Sequence, residues 1–332
     1  MVLQGMAAFR IICVVLLAAL AGASTAQRPT YRAPQHTRAP LPVGATPEDF
    51  VAFANGGMQI ERDRAPDDEL AEHRRLVSAL DGLLPQRKGM VDAYVVSIAL
   101  DSDPVFGREA REAAKVLARR YDAAGRTIVL AGSDGTGPSD LPRGSPGHLA
   151  LALARIAELI DKSEDGLVLY TTSHGAPIGI IYNDADQGYG AISPNRLAAV
   201  LGALGVDRRL VIVSACYSGS FVPALANADT AILTASAGDR TSFGCQSDND
   251  WTFYGDALIN HALRKAQPLA AASAEAVALV GQWEQQGRLK PSLPQVLIGD
   301  RATAWLAQLD RRTPAATTAS VGRPATALLD QR

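Results

Sequence analysis

Residues 210–220 read Leu-Val-Ile-Val-Ser-Ala-Cys-Tyr-Ser-Gly-Ser. A continuous run of apolar, largely β-branched and small residues suits a strand buried on both faces of a parallel sheet. The small polar residues behind it suit a turn at the strand's carboxyl end. The same design recurs at Leu167–Thr172 (LVLYTT), which runs into Ser173-His174-Gly175. Ala93–Leu100, Thr127–Ala131, Ala231–Ala235 and Val296–Ile298 are further short runs of this kind.

Helical patterns fill the intervals. Gly107–Ala123 is amphipathic, and Ser145–Asp161 sets Leu149, Leu153, Ile156 and Ile160 on one face. Pro194–Leu204 begins behind Ser193, a capping residue followed by proline in the first turn. Trp251–Arg264 and Ala270–Gln286 also read as helices, and Ile178–Tyr182 with Asn183–Gly190 reads as an inserted hairpin. Strand–helix alternation with right-handed crossovers predicts an α/β three-layer sandwich, a mostly parallel sheet of about six strands flanked by helices.

The composition narrows the function classes. In 332 residues, 47% are hydrophobic, 20% are charged and the formal net charge is −2. That charge balance lacks the basic footprint of a nucleic-acid binder. The apolar content is too high for a disordered chain, and three cysteines are too few for a disulfide scaffold.

Arg10 precedes an apolar run, Ile11–Gly22, and small residues follow through Ala23 and Ala26. This is the layout of a secretory signal peptide over residues 1–26, too short for a membrane span. The expectation is an exported protein, periplasmic or extracellular, with no stable membrane insertion once the signal is removed. Residues 27–47 are dense in proline and read as a linker, residues 48–310 as one domain, and 311–332 as a flexible tail. Removal of the signal takes Cys13 with it and leaves Cys216 and Cys245.

Ligands gather at the carboxyl ends of strands in open parallel sheets. If Leu167–Thr172 and Leu210–Ala215 are neighbours, His174 and Cys216 meet at one edge. A thiol beside an imidazole is the minimal apparatus for nucleophilic acyl transfer: the ring raises the thiolate population and later protonates the leaving amine. Gly175 admits close backbone approach, and its N–H with that of Cys216 forms a candidate oxyanion hole. A serine nucleophile fits less well, because Gly-x-Ser-x-Gly is missing around Ser218. No metal or other cofactor is expected: the five histidines are scattered without zinc-type spacing. Asp184, Asp186 and Gly188 read as a hairpin turn, and Cys245 as a free, packed thiol.

Thr172-Ser173-His174-Gly175 and Ser214-Ala215-Cys216-Tyr217-Ser218-Gly219-Ser220, in this order, resemble the legumain-type (C13) cysteine peptidases of the caspase–hemoglobinase group. Thr234–Asp256 resembles the segment behind the catalytic cysteine in bacterial members. The resemblance implies a caspase-like sheet, a His174/Cys216 dyad and cleavage of peptides after Asn or Asp. It aligns Arg108 and Asp256 with the arginine and one acid of the family's S1 pocket. Tyr217 stands where legumains carry an acid, Phe106 where they carry an asparagine, and Ser173 where many carry Asp, so the pocket departs from the family more than the dyad does.

The expected activity is therefore cysteine endopeptidase action on peptide or protein substrates. A transamidase or ligase uses the same acyl-thioester, and a non-catalytic caspase-fold binding module is the alternative from another class. Oligomeric state is not legible.

Overall fold

The computed structural model describes residues 46–331; the signal segment, nearly all of the proline-rich linker and Cys13 lie outside the described residues. In chain order the elements are α1 (Pro47–Gly56), β1 (Gln59–Glu61), α2 (Pro66–Asp81), β2 (Ala93–Ala99), α3 (Pro104–Arg120), β3 (Thr127–Leu130), α4 (Pro146–Leu159), β4 (Gly166–Thr172), β5 (Gly175–Ala176), β6 (Gly179–Asp184), β7 (Gly188–Ile192), α5 (Pro194–Leu204), β8 (Arg209–Ser214), α6 (Phe221–Leu225), β9 (Thr230–Thr234), α7 (Phe253–Gly255), α8 (Leu269–Gln286), β10 (Gln295–Ile298) and α9 (Asp300–Asp310). Proline opens five of these helices, where its missing N–H costs nothing and its fixed φ suits the first turn. Ser145 and Ser193 cap two of them by accepting the N–H of His148 and Arg196.

Six strands form the main sheet in the order β10-β9-β8-β4-β2-β3. All neighbours are parallel except β10, which closes one edge antiparallel to β9. The unbroken apolar runs are explained by burial on both faces. Along β2, Val95 faces one core while Tyr94, Val96 and Ile98 face the other. Val168 and Tyr170 alternate in the same way with Leu167 and Leu169 on β4, as do Leu210 and Ile212 with Val211 and Val213 on β8. One core is closed by α3, α8 and α9, the other by α2, α4, α5 and α6. The expected three-layer α/β sandwich is therefore observed. Each fully buried aliphatic side chain contributes about 2 kcal/mol to holding its layers together.

The expected hairpin is part of a second, antiparallel sheet, β1-β7-β6-β5. Its β1 strand and the helices α1, α2 and α9 were not anticipated. Arg64 clasps the hairpin end, pairing with Glu61 at 2.6 Å and Asp184 at 2.9 Å, and Arg143 reaches Asp184 at 3.2 Å. The Asp184–Gly188 segment is thus a hairpin turn, as read from the sequence, and Arg64 and Arg143 pair with its first acid.

Two regions differ from expectation. The segment 251–264 is not one regular helix: α7 widens into a π turn at Asp256–His261 and tightens into a 3-10 turn at Ala262–Arg264. The second is the segment behind α9, read as a flexible tail but laid on the body here. Trp251 Nε1 donates to the Val321 carbonyl at 2.9 Å, Asn260 bonds Val321 from both sides, and Ala325 is buried. The sequence signal was composition alone, and these backbone groups find partners in side chains distant in sequence. Among the described residues, no helix is long and apolar enough to cross a membrane.

Candidate active site

Strands β4 and β8 are direct neighbours, with Thr172 opposite Ser214 in register. Two residues beyond each lie His174 and Cys216, so the parallel ladder delivers both to one sheet edge. The contact is close: a Cβ built on Gly175 would lie 2.0 Å from the Cys216 carbonyl oxygen. Only glycine lets the histidine loop approach the backbone of the cysteine turn this nearly.

The turn that carries Cys216 is held rigidly. Tyr217 adopts a left-handed conformation at φ 58°, which costs a bulky residue about 1 kcal/mol and re-aims the chain immediately behind the thiol. The Tyr217 N–H donates to the Arg240 carbonyl at 2.7 Å. Ser218 and Ser236 exchange hydrogen bonds: the Ser218 N–H donates to Ser236 Oγ and the Ser236 N–H to Ser218 Oγ. Gly219 packs so close to Ala237-Gly238 that a Cβ would meet backbone at 2.5 Å.

The Cys216 sulfur accepts the Ser242 N–H at 3.2 Å, with the Ser242 hydroxyl at 3.6 Å. Its pKa is lowered to about 6, chiefly by the hydrogen-bonded Cys245 thiol, then by Ser242 and the charge of His174, against the opposing effect of burial. The Cys245 thiol is pushed the other way by Cys216 and by burial, so it stays protonated. Both cysteines are free. Cys245 is thus packed and unbridged, as expected, and it also serves as a donor to the nucleophile.

His174 is half exposed. Phe106 meets its ring edge-on at 5.1 Å between centroids, and Nε2 lies 3.5 Å from Asp103 Oδ2. Asp103 precedes α3 and accepts the Ser247 hydroxyl at 2.8 Å on its other oxygen. Beside it Asp101 is buried, and its Oδ1 accepts the Asp103 N–H at 2.9 Å. Burial raises the Asp101 carboxyl above the ordinary carboxylate range.

A buried carboxylate, Glu109, ties these pieces together from α3. It accepts Tyr170 Oη at 2.5 Å, Thr172 Oγ1 at 2.7 Å, and both the N–H and Oγ1 of Thr252 at 2.8 Å. Thr252 Oγ1 in turn lies 3.1 Å from Ser214 Oγ. Glu109 therefore fixes the last residues of β4 and, through Thr252, of β8, the positions from which His174 and Cys216 depart. Gly255 is glycine because a Cβ there would lie 2.1 Å from Glu109 Oε2.

The two pocket candidates fare differently. Arg108 spends its donors on protein carbonyls: Asp134 at 2.7 Å, Ser247 at 2.6 Å and Asn249, with an ion pair to Asp250 at 3.2 Å. It braces the 247–250 loop whose Ser247 touches Asp103. Asp256 is not brought to the site. It is fully buried in the π turn, where Oδ1 accepts Asn260 Nδ2 and Oδ2 accepts the Ala325 N–H, so it anchors the tail and does not face a substrate. The Tyr-Gly-Asp motif suggested a pocket acid, but the wide helical turn points Asp256 away from the site.

Sequence reading missed Glu109, Ser242 and the Asp101/Asp103 pair. A signal existed for the last. Asp101-Ser102-Asp103-Pro104 follows β2 as Ser173-His174 follows β4, and acids at the carboxyl end of a central strand are site candidates for the same reason.

A thiol with a lowered pKa beside a histidine at a sheet's carboxyl edge is the arrangement of a cysteine peptidase. The Peptidase C13 family model matches residues 150–286, a span that contains both His174 and Cys216. Over these residues the chain is similar to the Peptidase C13 family, in line with the resemblance of the two motifs. Among solved structures the chain is similar to caspase-1 from Spodoptera frugiperda, at 13% identity and a TM-score of 0.44 over 65% of this chain and 92% of that one. No curated protein matches the chain.

Proposed function

We propose that the protein is an exported cysteine endopeptidase in which Cys216 is the nucleophile and His174 the general acid and base. The observation that carries this reading is the thiol environment. Cys245, Ser242 and His174 together hold Cys216 near pKa 6, so the thiolate predominates at neutral pH. The thiolate attacks the scissile carbonyl, and the oxyanion forms within reach of the N–H groups of Gly175 and Cys216. His174 protonates the leaving amine, giving an acyl-thioester; it then takes a proton from water, which releases the acid and restores the thiolate. No cofactor enters these steps.

A preference for Asn or Asp before the cleaved bond rests on Arg108 alone now that Asp256 is buried. It requires the guanidinium to offer a substrate one of the donors it gives to loop carbonyls. The proposed export rests on the apolar run Ile11–Gly22. Transfer of the acyl group to an amine instead of water uses the same dyad, and the ratio of aminolysis to hydrolysis with an added amine measures it.

The test is Cys216→Ala and His174→Ala in parallel. Each is expected to abolish peptide hydrolysis, and Cys216→Ala also covalent labelling by a thiol-reactive peptide probe. Full activity in both variants overturns the proposal. Wild-type labelling no faster than that of a free thiol would favour the non-catalytic binding module.

A further inference from the structure

The geometry points to a divalent-cation site of zinc type formed by Asp101, Asp103 and His174, which when filled binds the ring of the histidine that the proposed reaction uses. The inference rests on the reading of His174 as the acid and base only for its effect on activity, not for the binding itself.

The topology builds the site. β2 and β4 are parallel neighbours with Ala99 opposite Thr172. Beyond that pair Asp101 bridges Asn183 of β6 while His174 follows β4, so both residues leave the sheet at the same carboxyl edge. The chain then bends into α3, and Asp103 folds back so that its Oδ2 is 3.5 Å from His174 Nε2. One donor atom from each of the three side chains lies within 4.8 Å of the others.

A cluster of acids on a surface means little without a further sign, and Asp101 supplies it. The residue is only 4% exposed, and its Oδ2 has no hydrogen-bond partner among the described residues. A buried carboxylate oxygen left without a donor is a costly defect that folded proteins rarely keep. Among the described residues, neither aspartate pairs with a lysine or arginine; Asp103 meets only His174 in ion-pair range. A cation bound to the three side chains satisfies the orphaned oxygen and neutralises both acids at once.

The donor set selects the ion. One imidazole with two carboxylates and an open fourth position is a ligand set that zinc accepts, at about 2.0–2.2 Å from each donor, which puts donor atoms about 3.3 Å apart. The Asp103–His174 separation is already near that spacing, and Asp103, partly exposed at the mouth of α3, closes the remainder. The outer contacts are in place: the Ser247 hydroxyl holds Asp103 Oδ1, and the Asp103 N–H holds Asp101 Oδ1. Zinc was not expected from the sequence because His174 lies about seventy residues from the two acids, and the fold assembles the site from two strand ends.

Thiolates are familiar ligands of zinc, so the test must separate this site from Cys216. Zinc binding is measured by calorimetry on chelator-treated protein, in the wild type and in Cys216→Ala. The expected result is one ion per chain in both. Asp103→Asn in the Cys216→Ala background is expected to weaken binding at least tenfold, and Asp101→Asn the same. Asp103 is partly exposed, so its variant folds even if the buried Asp101 does not tolerate the change. Cobalt substitution is expected to give visible ligand-field bands in Cys216→Ala without a sulfur charge-transfer band. Loss of binding in Cys216→Ala, binding unchanged by Asp103→Asn, or no heat from the wild type at millimolar zinc each overturns the site. Zinc bound as stated in a protein without peptidase activity leaves the site standing and defeats the proposed function instead.

Discussion

Gly175 and Cys216 are packed backbone to backbone, with the space of a Cβ on Gly175 already taken by the Cys216 carbonyl at 2.0 Å. The histidine loop and the cysteine turn therefore cannot shift independently. Gly175→Ala must push one of them aside by an ångström or more. A displacement of that size at a reacting centre costs on the order of a hundredfold in rate. The expected outcome is a fall of that order in kcat/KM with a stability loss of about 1–3 kcal/mol from overpacking. Near-wild-type turnover would mean that the close approach does not matter to the reaction.

The lowered pKa of Cys216 sets the acid limb of activity. Below about pH 6 the sulfur is protonated and unreactive; above it the thiolate accumulates, so the rate of iodoacetamide alkylation should rise through a midpoint near pH 6. The largest cause of the shift is the hydrogen bond from Cys245. Cys245→Ala removes that donor, so the midpoint should move up in pH and the rate at pH 6 should fall. Alkylation profiles that superimpose would show that Ser242 and His174 suffice.

Glu109 is a prediction about stability and site geometry together. Four donors converge on its two oxygens, from Tyr170, Thr172 and Thr252. Glu109→Gln turns one acceptor into an NH₂ that faces other donors and removes the charge that strengthens the remaining bonds. The expected loss is about 3 kcal/mol by denaturant unfolding, with reduced turnover, because both strand ends loosen. A change below about 1 kcal/mol would show that the cluster rearranges at little cost.

The sheet was legible because burial on both faces leaves an unmistakable signature: runs such as Val211-Ile212-Val213 have no polar alternation to confuse. The placing of His174 and Cys216 behind neighbouring strands was legible for a related reason. A reactive residue within two positions of such a run, with glycine or serine close behind it, reports its own position. What escaped was whatever depends on contacts distant in sequence. Glu109 looked like one more charge on an amphipathic helix, because nothing local says that Tyr170 and Thr252 converge on it. Asp256 kept its place in a family-like motif but lost its role, since a π turn rotates it toward Ala325. The tail looked loose because its apolar residues are few, while its anchoring uses backbone groups that composition does not reveal.

Arg108 is open to two roles, brace of the 247–250 loop or reader of the P1 side chain, and the two can be separated by experiment. As a brace, it holds the 247–250 loop through the carbonyls of Ser247 and Asn249 and the carboxylate of Asp250. Arg108→Ala should then speed amide exchange in that loop and cost about 1–2 kcal/mol. Because Ser247 holds Asp103, and Asp103 faces His174, thiol reactivity and cleavage after every P1 residue should fall together. As a reader of the P1 side chain, Arg108 acts only on substrates that carry a carboxylate or amide there, through the forked bonding a guanidinium gives. Its loss should then collapse cleavage after Asn or Asp while iodoacetamide alkylation of Cys216 stays unchanged. The carbonyl contacts favour the brace, so the expected result is a uniform fall across a P1 library, and a selective loss for Asn and Asp would return Arg108 to the pocket.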